Sequence, residues 1–319
     1  MTVDPGSLEL CPVRIPMRRR FRRIDHREAI LIRGPRGWGE FSPFPEYPPE
    51  VAARWLEAAL ESAAGDLPEP GRLTIPVNVT VPAVAPDAAA ALAAGSGATT
   101  AKVKVGEPGD SALDDLARVR AVRDALGSEA TIRVDVNGAW DLDTACRRLE
   151  ALAEVGLEYV EQPVSAVEDM AELRRRVAVK VAADESVRLA EDPMEVVERE
   201  AADLLVLKVQ PMGGVAPVLD LAARCGLPVV VSSALETSVG LYGGLLAASL
   251  LEDLPHACGL GTVSLLGGDV TFDPLVARRG LMDVRRPAPS ADLLERWRPS
   301  DARCDELMRR FWAALRLLT

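Results

Sequence analysis

The sequence predicts an α/β chain. A (β/α)8-type barrel is expected over residues 73–272. An α+β capping domain is expected from the N-terminal lobe, residues 1–72, and from the C-terminal segment 273–319, which returns to it. Two observations carry this. From Leu73 onward, short apolar runs alternate with helical patterns, which marks parallel βαβ units. No Gly-x-Gly-x-x-Gly follows the first of these runs, which argues against a doubly wound dinucleotide fold, and eight units in about 200 residues suit a closed barrel.

In chain order, Ala29–Arg33 and Trp38–Phe41 flank Gly34-Pro35-Arg36-Gly37, a hairpin signal, and a helix is expected from Pro49 to Ala63. Barrel strands are expected at Leu73–Val81, Thr99–Val105, Thr131–Val136, Tyr159–Glu161, Val179–Asp184, Leu204–Lys208, Pro228–Val231 and Ala257–Gly259. Helical patterns fall between them, at Ala83–Ala94, Ser111–Ala125, Asp141–Val155, Pro193–Glu200 and Val215–Cys225. Asp141 and Gly156 sit where an N-cap and a C′ glycine belong. Beyond Phe272 the chain reads as loop to about Pro299, and Asp301–Leu318 as an amphipathic helix.

Bulk properties exclude several function classes. A net charge of −11 disfavours nucleic-acid binding, which needs a basic face. The one basic run, Arg18 to Arg23, is expected to be a solvated loop. Five scattered cysteines without a Cys-x-x-Cys pair fit a reducing cytoplasm. No signal-peptide pattern opens the chain, and the apolar stretch Val239–Leu251 is too short to span a bilayer. Two histidines leave no His-Glu-x-x-His zinc motif and little room for a Ser-His-Asp triad. Nothing in the sequence points to an oligomeric state.

The chain has four lysines, Lys102, Lys104, Lys180 and Lys208, against thirty-three arginines. Arginine stays charged, whereas lysine can give up its proton, so lysines kept in such a chain are candidates for proton chemistry. Base composition is the plain alternative, and the neighbours of each lysine have to decide. In a (β/α)8 enzyme the chemistry lies at the C-terminal ends of the strands. Here those ends read Lys102-Val103-Lys104, Asp135-Val136-Asn137, Glu161-Gln162-Pro163, Asp184-Glu185-Ser186 and Lys208. The steps from Lys104 are 31, 26, 23 and 24 residues, one βα unit each.

Three carboxylates and no histidine make an oxygen-rich site for a hard cation, with Mg²⁺ the natural choice and Mn²⁺ a substitute. Lys102 beside Lys104 is a like-charge pair. With desolvation, this should lower a lysine pKa, and a value near about 7 to 8 would make Lys104 a competent base. A bound cation would stabilise the charge left when a proton departs beside a carboxylate. Singly, each residue has a structural alternative: Asp135 or Asp184 as a helix N-cap, the lysines as surface charges, Lys208 paired with Asp184 or Asp203. Lys180 opens its strand at the opposite end of the barrel and reads as structural or interfacial.

At these residues the chain resembles the enolase superfamily, in its muconate-lactonizing branch. The motifs are Lys-x-Lys at Lys102 and Lys104, Asp-x-Asn at Asp135 and Asn137, Glu161-Gln162-Pro163, Asp184-Glu185-Ser186, and Lys208 with Gly213-Gly214 downstream. Gly37-Trp38-Gly39-Glu40 matches the cap hairpin of the branch. Within it, Phe41–Tyr47, Val231–Glu236 and Gly259–Thr262 look most like the o-succinylbenzoate synthase family of the actinobacterial type.

That resemblance implies dehydration of a cyclohexadiene carboxylate (SHCHC) to o-succinylbenzoate, a small anionic substrate, in menaquinone biosynthesis. It implies Asp135, Glu161 and Asp184 as Mg²⁺ ligands, supported by Asn137, Gln162 and Glu185. Lys104 would be the base, with Lys102 beside it, and Lys208 a protonated cation–π partner on the opposite face. Ser232, Ser233, Gly259, Leu260 and Gly261 would line the substrate pocket. Strand eight ends Gly-Leu-Gly where dipeptide epimerases of the branch carry Asp-x-Asp, so a substrate ammonium would find no partner. The segment Pro16–Arg27, at the position of the family's mobile lid, is short and arginine-rich, which suggests a more open site. The competing activities are an N-succinylamino acid racemase, a muconate-type cycloisomerase, a Schiff-base aldolase using Lys208, and a non-catalytic barrel.

Overall fold

The structure, a computed structural model, describes residues 8–22 and 24–318. The cap opens with an antiparallel sheet of β1 (Glu9–Phe21), β2 (Ile24–Gly34) and β3 (Gly37–Phe41), followed by α1 (Pro49–Ala64). The predicted hairpin is present, with Gly34 facing Gly37. Strand β1 was not legible in the sequence because Pro12 and Pro16 interrupt it. Both are tolerated because β1 is an edge strand, where a missing N–H breaks no central ladder. The basic run is therefore strand and turn rather than loop: Arg18 to Arg20 are exposed on the end of β1, Arg22 takes the turn with φ 48°, and Arg23 lies outside the described residues.

The barrel continues with β4 (Thr74–Pro76), β5 (Val79–Val81), α2 (Pro86–Ser96), β6 (Thr100–Lys104), α3 (Ala112–Leu126), β7 (Thr131–Asp135) and α4 (Leu142–Leu152). Then come β8 (Leu157–Glu161), α5 (Val167–Arg176), β9 (Lys180–Ala183), α6 (Glu185–Arg188), α7 (Glu195–Glu198), β10 (Leu204–Leu207), α8 (Val215–Cys225), β11 (Val229–Val231) and α9 (Ser238–Leu250). The chain returns through β12 (Leu281–Asp283), α10 (Ala291–Arg296) and α11 (Asp301–Leu315).

Strands β5 to β11 form one curled parallel sheet in sequence order. Two details differ from the sequence expectation. The run Leu73–Val81 divides: β4 pairs antiparallel with β12 of the C-terminal segment, and only β5 joins the barrel. The eighth strand, expected at Ala257–Gly259, shrinks to two bridges, Cys258 with Val77 and Gly259 with Ser232. These still hydrogen-bond to both edges of the seven-stranded sheet, from Gly259 N to Val231 O and from Asn78 N to Cys258 O. Glycines at 259 and 261 permit close backbone approach here: a Cβ at Gly261 would stand 2.7 Å from Asn78 O.

Helix starts follow the local chemistry. Ser111 caps α3 in a reciprocal box with Asp114, and Asp141 caps α4 through Thr144 N. Gly156 at φ 71° turns the chain into β8. Pro193–Glu200 holds only the single turn α7, and Glu200, at φ 52°, lies outside the helical region. Helices α5, α6 and α9 have no counterpart in the sequence expectation, and the stretch expected as loop after Phe272 holds the short elements β12 and α10.

Side-chain period two divides each barrel strand. Outward residues such as Val103, Val134, Val160, Val181 and Leu205 pack under the helices. Inward, Tyr159, Ala182, Leu204, Val206 and Val230 form an apolar layer one step below the functional ends. The cap has its own core, from Val13 and Trp55 to Phe311, into which the barrel contributes Ala234, Leu235 and Val239. The cap is therefore seated on the loop after β11.

Candidate active site

Parallel pairing aligns the strand ends. Lys104 is in register with Asp135, and Asp135 with Glu161. The result is a row across five neighbouring strands: Lys102 and Lys104 from β6, Asp135 from β7, Glu161 from β8, Asp184 just past β9, and Lys208 just past β10. Asp135, Glu161 and Asp184 are buried at 1%, 0% and 0% exposure. Buried carboxylates persist only when partnered, and the lysines partner them. Lys102 Nζ donates to Glu161 Oε1 and Oε2 at 2.9 and 3.1 Å and lies 3.0 Å from Asp135 Oδ2. Lys104 Nζ lies 2.6 Å from the same Asp135 oxygen and donates to Asn137 Oδ1. Lys208 donates to Asp184 Oδ2. Lys180, by contrast, is exposed at the start of β9.

The electrostatics follow from this crowding. Burial would raise the Asp135 and Asp184 carboxyls, but the ammoniums outweigh it and hold both below the usual carboxylate range. Glu161, in the middle, is pushed up to about 7 by burial and by the negative charge of Asp135 and Asp184. Lys102 departs from the sequence expectation. Burial alone would lower it, yet Asp135 and Glu161 raise it well above the ordinary lysine value, so the carboxylates dominate over its lysine neighbour.

The residues inside the motifs support this row. Asn137, at φ 52°, donates through Nδ2 to Glu185 Oε1 at 3.1 Å. Gln162 is fully buried, and its Oε1 accepts from the backbone N–H of both Asp184 and Ser186 at 3.0 Å, which fixes the start of α6. Two further residues were missed in the sequence. Arg188 donates to Asp184 Oδ1 at 3.1 Å and to Glu185 Oε1 at 2.6 Å, and its i+4 spacing from Asp184 was the available signal. Arg133, inward on β7 below Asp135, spans the barrel floor to Glu158 and the Ala257 carbonyl.

The expected pocket residues are placed less uniformly. Ser232 Oγ donates to Gly259 O at 3.2 Å, and Gly259 packs so closely on Ser232 that a Cβ would collide. Ser233 Oγ is engaged by Glu236, by Thr262 Oγ1 at 2.6 Å and by Leu235 N at 2.9 Å. Leu260 is fully buried in the main core, and Gly261 packs on Asn78 O. Above the row, a cleft of about 760 Å³ is lined by Lys104, Val136 and Asn137 from the barrel and by Arg20, Phe21 and Arg22 from the β1–β2 tip. The Phe21 ring lies 5.7 Å from Lys104 Nζ. The segment expected as a short lid is thus the end of a strand pair that overhangs the lysine.

The donor set fits a hard divalent cation in kind: three buried carboxylates on adjacent strand ends, all oxygen, with the mutual repulsion that pushes Glu161 up being of the kind a cation would relieve. Among the described residues no three such groups converge on one point, because the ammoniums stand between them.

The sequence matches "Enolase N-terminal domain-like" over residues 13–63 and "Enolase C-terminal domain-like" over residues 84–289. It is 59% identical to o-succinylbenzoate synthase from Thermobifida fusca over 85% of this chain and 86% of that one. It is 53% identical to o-succinylbenzoate synthase from Mycolicibacterium smegmatis, over 87% and 86% of the two chains. The chain belongs to the o-succinylbenzoate synthase family of the enolase superfamily. The fold is shared with more distant proteins. Muconate lactonizing enzyme from Pseudomonas fluorescens superposes with a TM-score of 0.78 at 24% identity, over 92% of this chain and 98% of that one. N-succinyl Arg/Lys racemase from Bacillus cereus gives 0.78 at 20%, over 91% and 97%. Among the described residues no helix is long and apolar enough to cross a membrane, and the five cysteines are free.

Proposed function

We propose that this chain dehydrates SHCHC to o-succinylbenzoate at the carboxylate row, with Mg²⁺ as the cation. Family membership carries the reaction class, and one observation carries its location: Lys104 and Lys208 flank three buried carboxylates from opposite sides. Asp135, Glu161 and Asp184 would hold the cation, which supplies Lewis-acid stabilisation of the charge that develops on a substrate carboxylate.

The residues of the chain do the rest. Lys104 faces the cleft beside Asn137 and takes the proton alpha to the ring carboxylate. Its proton returns to the departing hydroxyl, so one water is lost and the lysine ends the cycle neutral. Lys208, held by Asp184, stays protonated and stabilises the electron-rich ring from the other face. Phe21 overhangs Lys104 from the cap, with its ring 5.7 Å from Nζ, and supplies an apolar edge to the cleft. Asn137 and Glu185 hold the Lys104 side of the row, and Gln162 holds the Asp184 side. Ser232, Ser233, Gly259 and Gly261 form the wall on which the succinyl arm rests, whereas Leu260, expected there from the sequence, packs behind it in the core because its side chain turns under α9. Since the hydroxyl of Ser233 is engaged internally, the wall acts by shape more than by donated hydrogen bonds.

The test is turnover of SHCHC by the purified protein, followed by ultraviolet absorbance with Mg²⁺ and then with EDTA. Metal-dependent loss of the diene signal is expected, and no turnover with metal bound would overturn the assignment. The two opposed lysines also suit proton removal on one face and return on the other. An N-succinylamino acid substrate would then exchange its alpha hydrogen for deuterium, and absence of exchange removes this second reading.

A further inference from the structure

Arg188 reaches in three directions from the short helix α6. Its Nε donates to Asp184 Oδ1 at 3.1 Å, its Nη2 to Glu185 Oε1 at 2.6 Å, and its Nη1 to the Tyr47 hydroxyl at 2.7 Å. Only the third partner belongs to the cap. The same Tyr47 oxygen accepts a second guanidinium, Arg22 Nη2 at 3.1 Å, from the turn between β1 and β2. Arg22 is fixed in turn by its place over the Phe44 ring, 4.2 Å from the centroid. Phe44 packs edge-on against both Tyr47 and Trp55. Arg188 is 3% exposed and its bond to Asp184 is buried, where charge-assisted bonds are strong, while those to Tyr47 and Glu185 are half-buried.

A continuous set of bonds therefore runs from the hairpin tip over the cleft to the functional row: Arg22, Tyr47, Arg188, and then Asp184 directly or Glu185, Asn137 and Lys104. Glu185 Oε2 is a buried atom with no partner among the described residues, so the orientation of Glu185 depends on Arg188 and Asn137 through Oε1.

We propose that Arg188 is a positioning residue for Asp184 and Glu185, and that Tyr47 ties its guanidinium to the hairpin tip, so that the seat of the cap sets how well the carboxylate row takes its cation. The inference rests on Asp135, Glu161 and Asp184 being the ligands. The physical reason is competition. While Tyr47 holds one amino group, Arg188 gives Asp184 a single bond and leaves its other oxygen to Lys208 or a cation. Released from Tyr47, the planar fork can turn and take both Asp184 oxygens, as arginine does with free carboxylates, and then it opposes metal binding.

The test is titration of the full chain with Mn²⁺ alone, without substrate, reading free Mn²⁺ by electron paramagnetic resonance. The variants are Tyr47→Phe and Arg22→Met, singly and together, each with its thermal midpoint. Tyr47→Phe is expected to weaken Mn²⁺ binding about tenfold, within what residues behind metal ligands contribute. Arg22→Met should do the same, although it lies in the cap, and the double variant should be no worse than either single one. Unchanged Mn²⁺ affinity in both single variants overturns the proposal, as does an additive loss of about a hundredfold in the double. Lower affinity that only tracks a fall in thermal midpoint would show loosened packing and also overturns it. Wild-type protein that takes up no Mn²⁺ removes the ligand assignment itself, which distinguishes that failure from failure of the relay.

Discussion

Lys104 Nζ stands 2.6 Å from Asp135 Oδ2, and the same oxygen is 3.0 Å from Lys102 Nζ, so one carboxylate oxygen is shared by two ammoniums from a single strand. The two lysines differ in what surrounds them. Lys102 is held by both oxygens of Glu161 and is buried, whereas Lys104 lines the cleft beside the exposed Asn137. A cation that drew Asp135 and Glu161 to itself would leave Lys104 the lysine with access to substrate. Lys102 would remain as a nearby positive charge.

Lys104→Ala should therefore abolish turnover while leaving the fold and Mn²⁺ binding intact. Lys104→Arg should be nearly as damaging, because a guanidinium does not deprotonate near neutral pH. Losses of at least about a thousandfold in kcat are expected, given what a positioned general base contributes. Activity within tenfold of wild type in either variant removes Lys104 as the base.

Asp184→Asn should weaken metal binding. It keeps the volume but removes one negative charge from the row, and an amide NH2 replaces one of the two oxygens that accept from Arg188 and Lys208. Calorimetric titration with Mg²⁺ should show affinity reduced by about tenfold or more. An unchanged titration takes Asp184 off the ligand set.

Much of this was legible in the sequence, for a definite reason. Strand spacing of one βα unit converts sequence distance into lateral position, so Lys104, Asp135, Glu161, Asp184 and Lys208 could be placed in a row from numbering alone. What sequence could not supply was contact across the cap–barrel seam. Tyr47 and Arg188 are 141 residues apart, and Arg27 and Leu235 are 208 apart, and no periodicity links them. Strand β1 was hidden by two prolines whose cost vanishes only at a sheet edge, a fact of topology. The state of Lys102 was misjudged because its like-charged neighbour is visible in Lys-x-Lys, while the carboxylates that dominate it come from other strands.

Arg27 is the next test of that seam. It is buried, and its guanidinium donates to the carbonyls of Leu235 at 2.9 Å, Ala234 at 3.1 Å and Ser42. Leu235 sits at φ 68°, a conformation a leucine adopts only when its surroundings impose it. Arg27→Ala would leave these carbonyls buried without donors and should cost about 3–5 kcal/mol, read by urea denaturation. A loss below about 1 kcal/mol would mean that water replaces the guanidinium and that the apolar cap core alone fixes the loop.

Glu40 gives the seam a pH dependence. It is buried where Thr237 N, Thr237 Oγ1 and Gly240 N donate to its carboxylate, yet burial pushes its carboxyl up to about 7. The folded value lies above the unfolded one, so the folded state holds this proton more tightly. Its contribution to stability is full below the unfolded carboxyl value near about 4.3 and declines as pH rises through the folded value near 7. Between pH 5 and pH 8 the decline should amount to about 2–3 kcal/mol from this group. Glu40→Gln keeps the shape and one acceptor but has no proton to lose. Urea denaturation of both proteins should therefore show the variant gaining on wild type by that amount from pH 5 to pH 8. Groups away from Glu40 titrate alike in both chains, so the difference reports Glu40 together with its charged neighbours Arg27 and Glu236. Parallel stability curves would mean that the donors from Thr237 and Gly240 keep the carboxylate charged throughout, and the effect of burial would then be the smaller one.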